Sequence, residues 1–518
     1  MQHFLFVPQE SSARERIKDY TAEFADEDLR RATYELEEVF LGKRRQLCKQ
    51  VAWMGRGCYL KPLGSHYLVV KGVGPGPGSE HMRQMLDCVM RERGHGRGGC
   101  LRLDTKTFFP LLVQFRHRNN SWVIFDPRPE GFSIFGFLYR EAEAALILHQ
   151  LDVRAVFPLL LLRHKINSPW VPKDPASLEE YLTRRLLPAI QKHLRLSDDD
   201  VSLPISFASL VYVDMDGGIL IRKSLSPYRI ANLHTTAVEG DQEGLRFLTT
   251  HMLDVLGLGE LTCESVTELR LTFASELART AARLFAEGVI HGQLNIHHQN
   301  ITLAAELADF DELIFVRAEP ALLENIPFPE SRHAHRYVEF GRELQRAERE
   351  LGTDITGVLF DDYQEFVGIS YEGVDQPRLA AFMLRQVYDL FVQSLITADL
   401  VSRSVTRDAD RTGTVLKPQE IGAIQERFVT VFIDCVVAYK AVPLLDWCLK
   451  NGFDYLFERL LNLKLKRTLY GWIHADVPLD RLIDICGSER AECIRDEAHS
   501  FFEVLNSAKS HSAPHVSV

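Results

Sequence analysis

The residues best suited to chemistry lie near the middle of the chain, in residues 289–300, which read VIHGQLNIHHQN. Asn300 ends this segment, and Asp309 follows nine residues later, after an apolar step. An asparagine amide and an aspartate carboxylate are hard oxygen ligands, the kind that Mg²⁺ prefers. The spacing therefore predicts that Asn300 and Asp309 hold Mg²⁺ against phosphates.

The same segment carries three histidines, and these offer a transition-metal site as an alternative: His291, His297 and His298. The segment has no HExxH motif and no downstream carboxylate at a suitable offset. We therefore interpret His291 as a structural histidine of the loop.

Lys71 ends a short apolar run and begins the segment KGVGPGPG, residues 71–78. A lysine there can hold a phosphate, while Gly72 and Gly74 allow backbone N–H groups to approach it. The alternative is an ordinary lysine between a strand and a loop. Glu141 opens a predicted helix, and a helical glutamate that pairs with a strand lysine fixes the lysine against phosphates. Its alternative is a solvated glutamate.

Arg222 and Arg229 lie seven residues apart on either side of a Ser-Pro break. An arginine donates two parallel hydrogen bonds and keeps its charge, so the pair is suited to a polyphosphate. If they do not converge on one ligand, they are isolated surface arginines.

Periodicity predicts the elements that position these residues. Strands are expected at residues 59–73, 108–115, 122–125 and 156–162, and a β-hairpin over 208–224 with its turn at residues 216–218. Helices are expected within 12–50, and at 138–151, 177–194, 378–400, 420–441 and 443–468. Another helix carries Phe273, Leu277, Ala281 and Leu284 on one face, with Gly288 as its C-cap. Residues 507–518 read as a disordered tail.

Composition narrows the class of protein. The chain has 518 residues, 46% apolar and 25% charged, which is typical of a globular protein. A net charge of −11 disfavours sequence-independent nucleic-acid binding. The longest apolar candidate, residues 155–162, is too short to span a membrane, and Glu10 comes too early for a secretory signal. The nine cysteines never form CxxC, so we expect reduced thiols and a cytoplasmic protein.

In this order, the motifs resemble those of selenoprotein O, a family of pseudokinase-fold protein adenylyltransferases. The similarity covers, in pieces, roughly residues 55–315. Lys71-Gly-x-Gly, Arg140-Glu141, the two arginines and the HGxxN…Asn300…Asp309 segment each have a counterpart there. The resemblance implies that Glu141 positions Lys71, that Arg222 and Arg229 grip the triphosphate of an inverted ATP, and that AMP is transferred.

The chain departs from that family at several places. Residues 79–130 are inserted, the loop before Asn300 is two residues longer, and a C-terminal redox cysteine pair is missing. Gln299 stands at the catalytic position directly before Asn300, where the family has an acid, and glutamine cannot act as a base.

A second family offers an alternative. The segment HHQN with Asp309-Phe310 is similar to that of siderophore synthetases that work without peptide synthetases, which adenylate a carboxylate. Their N-terminal Gly-His-Pro motif is absent. A carboxylate is already ionised at neutral pH and needs no base, so Gln299 is no defect for this chemistry.

The sequence thus predicts an α+β, bilobal protein-kinase-like fold with a β-containing N-lobe and a mostly helical C-lobe. The predicted domains are a helical extension (1–54), an N-lobe (55–240), a C-lobe (241–470) and a C-terminal helix with its tail (471–518). The expected function is Mg·ATP-dependent AMP transfer to a protein hydroxyl. The alternatives are an adenylate-forming ligase for a small carboxylic acid and a non-catalytic ATP-binding pseudokinase.

Overall fold

The chain divides into two units. The first comprises residues 1–142, 157–224 and 348–362, and the second comprises 143–156, 225–347 and 363–518. The computed structural model describes residues 12–23, 26–41, 43, 52–54, 57–60, 65–72, 100–101, 113–117, 122–125, 133, 135–167, 201–207, 214–292, 294, 300–310, 313–318, 325–353, 355, 376–406 and 415–451. The predicted helix at 177–194, most of the 79–130 insertion, and residues 452–518 lie outside these ranges.

In its described residues, the first unit consists mainly of strands, together with two helices. The strands are β1 (Ser12–Asp19), β2 (Ala52–Met54), β3 (Gly57–Leu60), β4 (Tyr67–Lys71), β5 (Cys100–Leu101), β6 (Val113–His117), β7 (Trp122–Phe125), β8 (Phe157–Asn167), β9 (Val201–Phe207) and β10 (Asp214–Ser224). The helices are α1 (Glu27–Phe40) and α2 (Phe135–Gln150), the latter continuing into the second unit. The predicted strands near residues 59–73, 122–125 and 156–162 are thereby confirmed.

The main sheet is antiparallel and has six strands in the order β1-β8-β10-β4-β3-β2. In β8, Leu159 to Leu162 are all buried, so this strand is covered on both faces. In β4, Leu68 and Val70 are fully buried, while the alternate residues are half-buried. The end of β4 therefore turns Lys71 to the opposite face from this apolar pair.

A second sheet has four strands in the order β5-β7-β6-β9, in which only β5 and β7 pair in parallel. Three of its strands come from the 79–130 insertion. The described part of the insertion therefore adds sheet structure to the first unit.

Residues 216–218 do not form the predicted hairpin turn. Strand β10 runs straight through them, with Gly217 opposite His164 and Gly218 opposite Arg163. A Cβ atom on Gly218 would lie 2.8 Å from Leu138 Cδ1 of helix α2. Gly218 is therefore needed because helix α2 approaches the strand closely at this position. In the sequence alone, a glycine of this kind looks the same as a glycine in a turn. Residues 208–213, the other half of the predicted hairpin, are not among the described residues.

The helices predicted within residues 12–50 are only partly present. Helix α1 forms, with Asp26 accepting a hydrogen bond from the Leu29 amide at its N-terminus. Ser12–Asp19, however, is strand β1, at the edge of the main sheet. Charged residues are common on edge strands because they discourage further pairing, and here backbone pairing with β8 overrides the helix-favouring composition.

The second unit is mostly helical, so the mixed α+β class is confirmed. Among the described residues from 230 onward, the helices and strands are α3 (Ile230–Glu239), α4 (Gln242–Leu256), α5 (Cys263–Glu287), β11 (Val289–Ile290), β12 (Ile314–Phe315), α6 (Ala334–Leu351, whose last turn belongs to the first unit), α7 (Gln376–Arg403), α8 (Pro418–Ala438) and α9 (Val442–Asn451). Helix α5 is central to its core and packs against α7 and α8. Its predicted apolar face is completely buried, and Gly288 ends it at φ 67°.

Helix α7 bears on the prediction about membrane-spanning segments, because it is long and apolar. By length and composition, residues 379–403 could cross a membrane, with a mean hydropathy of 1.2. Helices α8 and α9 meet the same test only as one span, and they are bent by 116°. The expectation that residues 155–162 are the longest apolar candidate therefore does not hold for the described residues, although a buried core helix passes the same test. Of the apolar window in α7, 61% is buried inside the protein, as in a core helix.

Candidate functional site: two charged clusters

A three-residue charged cluster lies in the first unit and is called the lysine cluster here: Lys71, Glu141 and Arg222. Lys71 Nζ donates to Glu141 Oε2 at 2.7 Å, and Arg222 Nη1 donates to Glu141 Oε1 at 2.5 Å. The Glu141 and Arg222 side chains are 1% and 5% exposed, whereas that of Lys71 is 21% exposed. The lysine is thus the member of the cluster that a ligand can reach.

The register of the sheet places the two cations together. Lys71 lies opposite Leu220, and Arg222 lies opposite Val69, on the paired strands β4 and β10. Directly opposite residues share a face of an antiparallel pair, so Lys71 and Arg222 are diagonal neighbours on one face. Helix α2 brings Glu141 to that face.

In the lysine cluster, one carboxylate binds two cations. A buried charge is stable only when it is paired and hydrogen-bonded, and Glu141 uses both of its oxygens for this purpose. The ammonium group of Lys71 is the partly exposed cation of the cluster, which suits it to an anionic group such as a phosphate.

Gly72 has a structural reason to be glycine. Its φ is 90°, and a Cβ atom there would lie 2.1 Å from the carbonyl oxygen of Gly218. The contact with β10 therefore excludes any side chain, whatever the loop binds. Gly74 lies outside the described residues.

The second cluster lies in the second unit and is called the aspartate pair here: Arg229 and Asp309. Arg229 Nη1 donates to Asp309 Oδ2 at 3.0 Å, and both side chains are about one-fifth exposed. Arg222 and Arg229 therefore lie in different units and pair with different carboxylates. Their convergence on one triphosphate stays a prediction.

A tight β-turn structure holds the predicted metal ligands, and residues 300–309 are called the ligand hairpin here. The Ala308 amide donates to the Asn300 carbonyl at 2.9 Å, and the Thr302 amide donates to the Glu306 carbonyl at 2.9 Å. Asp309 has φ 61°, a left-handed conformation that Asp tolerates better than most residues. Strained positions of this kind cluster at functional sites.

The ligand hairpin is also joined to the segment that carries Arg229. The Leu303 amide donates to the Tyr228 carbonyl at 2.9 Å, and the Ile230 amide donates to the Ile301 carbonyl at 3.1 Å. These two hydrogen bonds lie on either side of Arg229, whose backbone forms an isolated antiparallel β-bridge with that of Thr302. The backbones of Arg229 and of the hairpin are therefore held in a fixed relation.

Glu306 is a buried carboxylate that the sequence did not single out. Its Oε1 accepts from the Leu225 amide at 2.9 Å, and its Oε2 accepts from the Thr302 hydroxyl at 3.0 Å. It ties the loop before Arg229 to the tip of the ligand hairpin. In the sequence, Glu306 interrupts an apolar segment, between residues 303–305 and 307–308. This interruption is the sequence feature that could have identified Glu306 as a buried, functional or positioning residue.

His291 is a structural residue, as predicted. It is fully buried; its amide donates to Gln386 Oε1 at 2.7 Å, and its Nε2 lies 2.9 Å from the Ala308 carbonyl oxygen. Gln386 in turn donates to the Val289 carbonyl at 3.0 Å. His297, His298 and Gln299 lie outside the described residues. Within the described ranges, no group of three or more His, Cys, Asp or Glu side chains could hold a metal ion.

The donors at the two ends of the ligand hairpin fit Mg²⁺. Mg²⁺ commonly takes one or two protein oxygens and completes its shell with water and substrate phosphate. Asn300 is 5% exposed, and the Asp309 side chain is 20% exposed, so the carboxylate is the more accessible of the two predicted ligands. An amide and a carboxylate are hard oxygen donors, which disfavours a soft transition metal.

No protein-family model matches the chain, and no curated protein matches it either.

Proposed function

We propose that this protein is a Mg·ATP-dependent nucleotidyltransferase that transfers AMP from ATP to an acceptor, a protein hydroxyl group. The observation that carries the proposal is the pair of short contacts that Glu141 makes with Lys71 and Arg222. The sequence predicted the pairing of Lys71 with Glu141, 70 positions away, on the grounds that a nucleotide-binding lysine needs such a partner. We also propose that the protein has a bilobal kinase-like fold and is located in the cytoplasm, as the sequence predicted.

Each charged residue has a role in this proposal. Lys71, held by Glu141, binds phosphate oxygens, and the buried Arg222 keeps Glu141 in place. Arg229 binds a second phosphate. Asn300 and Asp309 would hold Mg²⁺, which would neutralise phosphate charge when bound.

The proposed reaction is a displacement at the α-phosphorus of ATP. The acceptor oxygen bonds to that phosphorus, the bond to the bridging oxygen of the β-phosphate breaks, and pyrophosphate leaves with the bonding electrons. Lys71 and Arg229 stabilise the negative charge that develops on the phosphate oxygens. Because Gln299 cannot accept the hydroxyl proton, the proton passes to solvent.

Gln299 also favours a second acceptor class, a small carboxylic acid. A carboxylate has no proton to lose, so its attack on the α-phosphorus needs no base. The product would then be an acyl-adenylate, as in an adenylate-forming ligase.

Parallel incubations with α-labelled and γ-labelled ATP test the proposal. We expect the α-label on protein, with pyrophosphate released, and no transfer of the γ-label. Hydroxylamine separates the acceptors, because an acyl-adenylate is trapped as a hydroxamate whereas an AMP ester on a hydroxyl survives. Transfer of the γ-label alone would contradict AMP transfer. If no label moves while ATP still binds, the protein is a non-catalytic ATP-binding pseudokinase.

Asp309→Asn is the matched inactive variant for these incubations. Asparagine has the same shape and tolerates the left-handed conformation of residue 309, so the fold should survive. The negative charge at the metal position is lost, and with it the ion pair with Arg229. Equal labelling by wild type and Asp309→Asn would remove Asp309 from the mechanism.

A further inference from the structure

The aspartate pair joins two residues that the proposed function needs for different ligands. Asp309 is the carboxylate that would hold Mg²⁺, and Arg229 is a cation for phosphate. In the structure they bind each other, with Arg229 Nη1 at 3.0 Å from Asp309 Oδ2. Neither side chain can serve its ligand fully while this ion pair is intact.

The pair is built into the fold. Backbone hydrogen bonds on both sides of Arg229 hold it beside the ligand hairpin, and the Arg229 amide donates to Asn232 Oδ1 at 2.8 Å. Asp309 is held at φ 61° at the end of the same hairpin. Because both backbones are fixed, the two side chains meet whenever no ligand separates them.

We propose that the aspartate pair makes this site selective for a divalent cation and a phosphate that arrive as one complex, and weak toward either alone. This inference rests on the proposed function and describes how its nucleotide site is regulated. Occupancy of the site requires an exchange of partners: Asp309 passes from Arg229 to the cation, and Arg229 passes from Asp309 to the phosphate.

The exchange follows from charge balance. If Asp309 binds a cation alone, Arg229 loses its contact with this carboxylate and faces a second positive charge. If Arg229 binds a phosphate alone, Asp309 is left facing an anion. When both ligands are present, both side chains regain an opposite charge and the ion pair is broken only once. Binding of the two ligands is therefore positively coupled, and the coupling is reciprocal.

The test uses Mn²⁺ alone as a paramagnetic probe, with its affinity measured by water-proton relaxation. Arg229→Gln removes the ion pair of Asp309 with Arg229, so the variant should bind Mn²⁺ at least about fivefold more tightly than wild type does. A factor of about five is the lower end of typical coupling between two binding sites. The same variant should bind Mg·ATP more weakly, because a phosphate contact is lost. The two affinities thus shift in opposite directions.

Arg154→Gln is the control. It removes the Arg154–Glu276 ion pair, which is 3.2 Å long, similarly exposed and in the same unit. It should leave the Mn²⁺ and Mg·ATP affinities unchanged. Adding Asp309→Asn to Arg229→Gln should abolish the gained Mn²⁺ affinity, which assigns the gain to Asp309.

An unchanged or weaker Mn²⁺ affinity in a folded Arg229→Gln protein overturns this inference, while Mg·ATP binding by wild type leaves the proposed function standing. Absence of Mg·ATP binding in wild type overturns the proposed function instead. The two failures are therefore distinguishable.

Discussion

Removing the charge of Glu141 should destabilise the first unit strongly. In Glu141→Gln the side chain keeps its size, but Lys71 and Arg222 lose their shared carboxylate and face each other as like charges. The Glu141 and Arg222 side chains are 1% and 5% exposed, so water cannot replace the lost partner. Breaking a buried ion pair in this way costs about 3–5 kcal/mol.

Hydrogen–deuterium exchange is the suitable assay, because a chain of two units need not unfold in one step. Peptides that cover β4 (Tyr67–Lys71) and β10 (Asp214–Ser224) should exchange much faster in Glu141→Gln, while α5 (Cys263–Glu287) should be unaffected.

A triple variant then separates stability from function. Replacing a whole buried ion cluster by apolar residues of similar volume is often neutral or stabilising. Lys71→Met, Glu141→Leu and Arg222→Met together should therefore restore slow exchange but not restore Mg·ATP binding. If the triple variant binds Mg·ATP as wild type does, the lysine cluster is a structural ion network and our assignment is wrong.

Three further changes test other parts of the structure. Glu306→Gln should loosen the ligand hairpin by about 1–3 kcal/mol, seen as faster amide exchange, because buried backbone donors lose an acceptor. Gly218→Ala should lower stability by about 1–3 kcal/mol in thermal denaturation, because its Cβ would overlap helix α2. The Lys417 amide and the Arg270 guanidinium hold the pKa of Glu420 below its ordinary 4.5, against burial, which raises it. A folded-state pKa below 4.5 adds stability that is fully present above pH 4.5, so the stability difference between wild type and Glu420→Gln should shrink as the pH falls below 4.5.

Each of these changes has a contradicting result. Glu287→Gln is the control for Glu306, since Glu287 is also buried in the second unit but accepts from Tyr337. Equal exchange of the ligand hairpin in both variants would remove Glu306 from its positioning role. An unshifted melting temperature in Gly218→Ala would refute the close approach of α2. A stability difference for Glu420→Gln that persists unchanged in strong acid would refute its ion pair.

The sequence predicted helices well where apolar residues at helical spacing form a single buried face. The four residues from Phe273 to Leu284 share one helical face, and all are buried. It failed where a residue type has two uses. Gly217 and Gly218 suit a turn, but a strand beneath a helix needs a glycine equally. The charged segment Ser12–Asp19 favours a helix locally, but it completes the edge of a sheet through backbone pairing with β8.

Some contacts of the candidate site were likewise predictable from the sequence and others were not. The Lys71–Glu141 contact was predictable because a strand lysine with a helical glutamate is a recurring phosphate-binding arrangement. The pairing of Arg222 and Arg229 with different carboxylates was not predictable, since spacing along the chain does not reveal which carboxylate an arginine meets. Glu306 escaped notice because its backbone partner Leu225 lies 81 positions away.

Calorimetric titration with a non-hydrolysable ATP analogue, with and without Mg²⁺, tests the central claim most directly. We predict that wild type binds the analogue with Mg²⁺ and much more weakly without it, and that Asp309→Asn loses this dependence on Mg²⁺. Binding of equal strength with and without Mg²⁺, or equal Mg²⁺-dependent binding by wild type and Asp309→Asn, would contradict the assignment of Asp309 as the metal ligand of a nucleotide site.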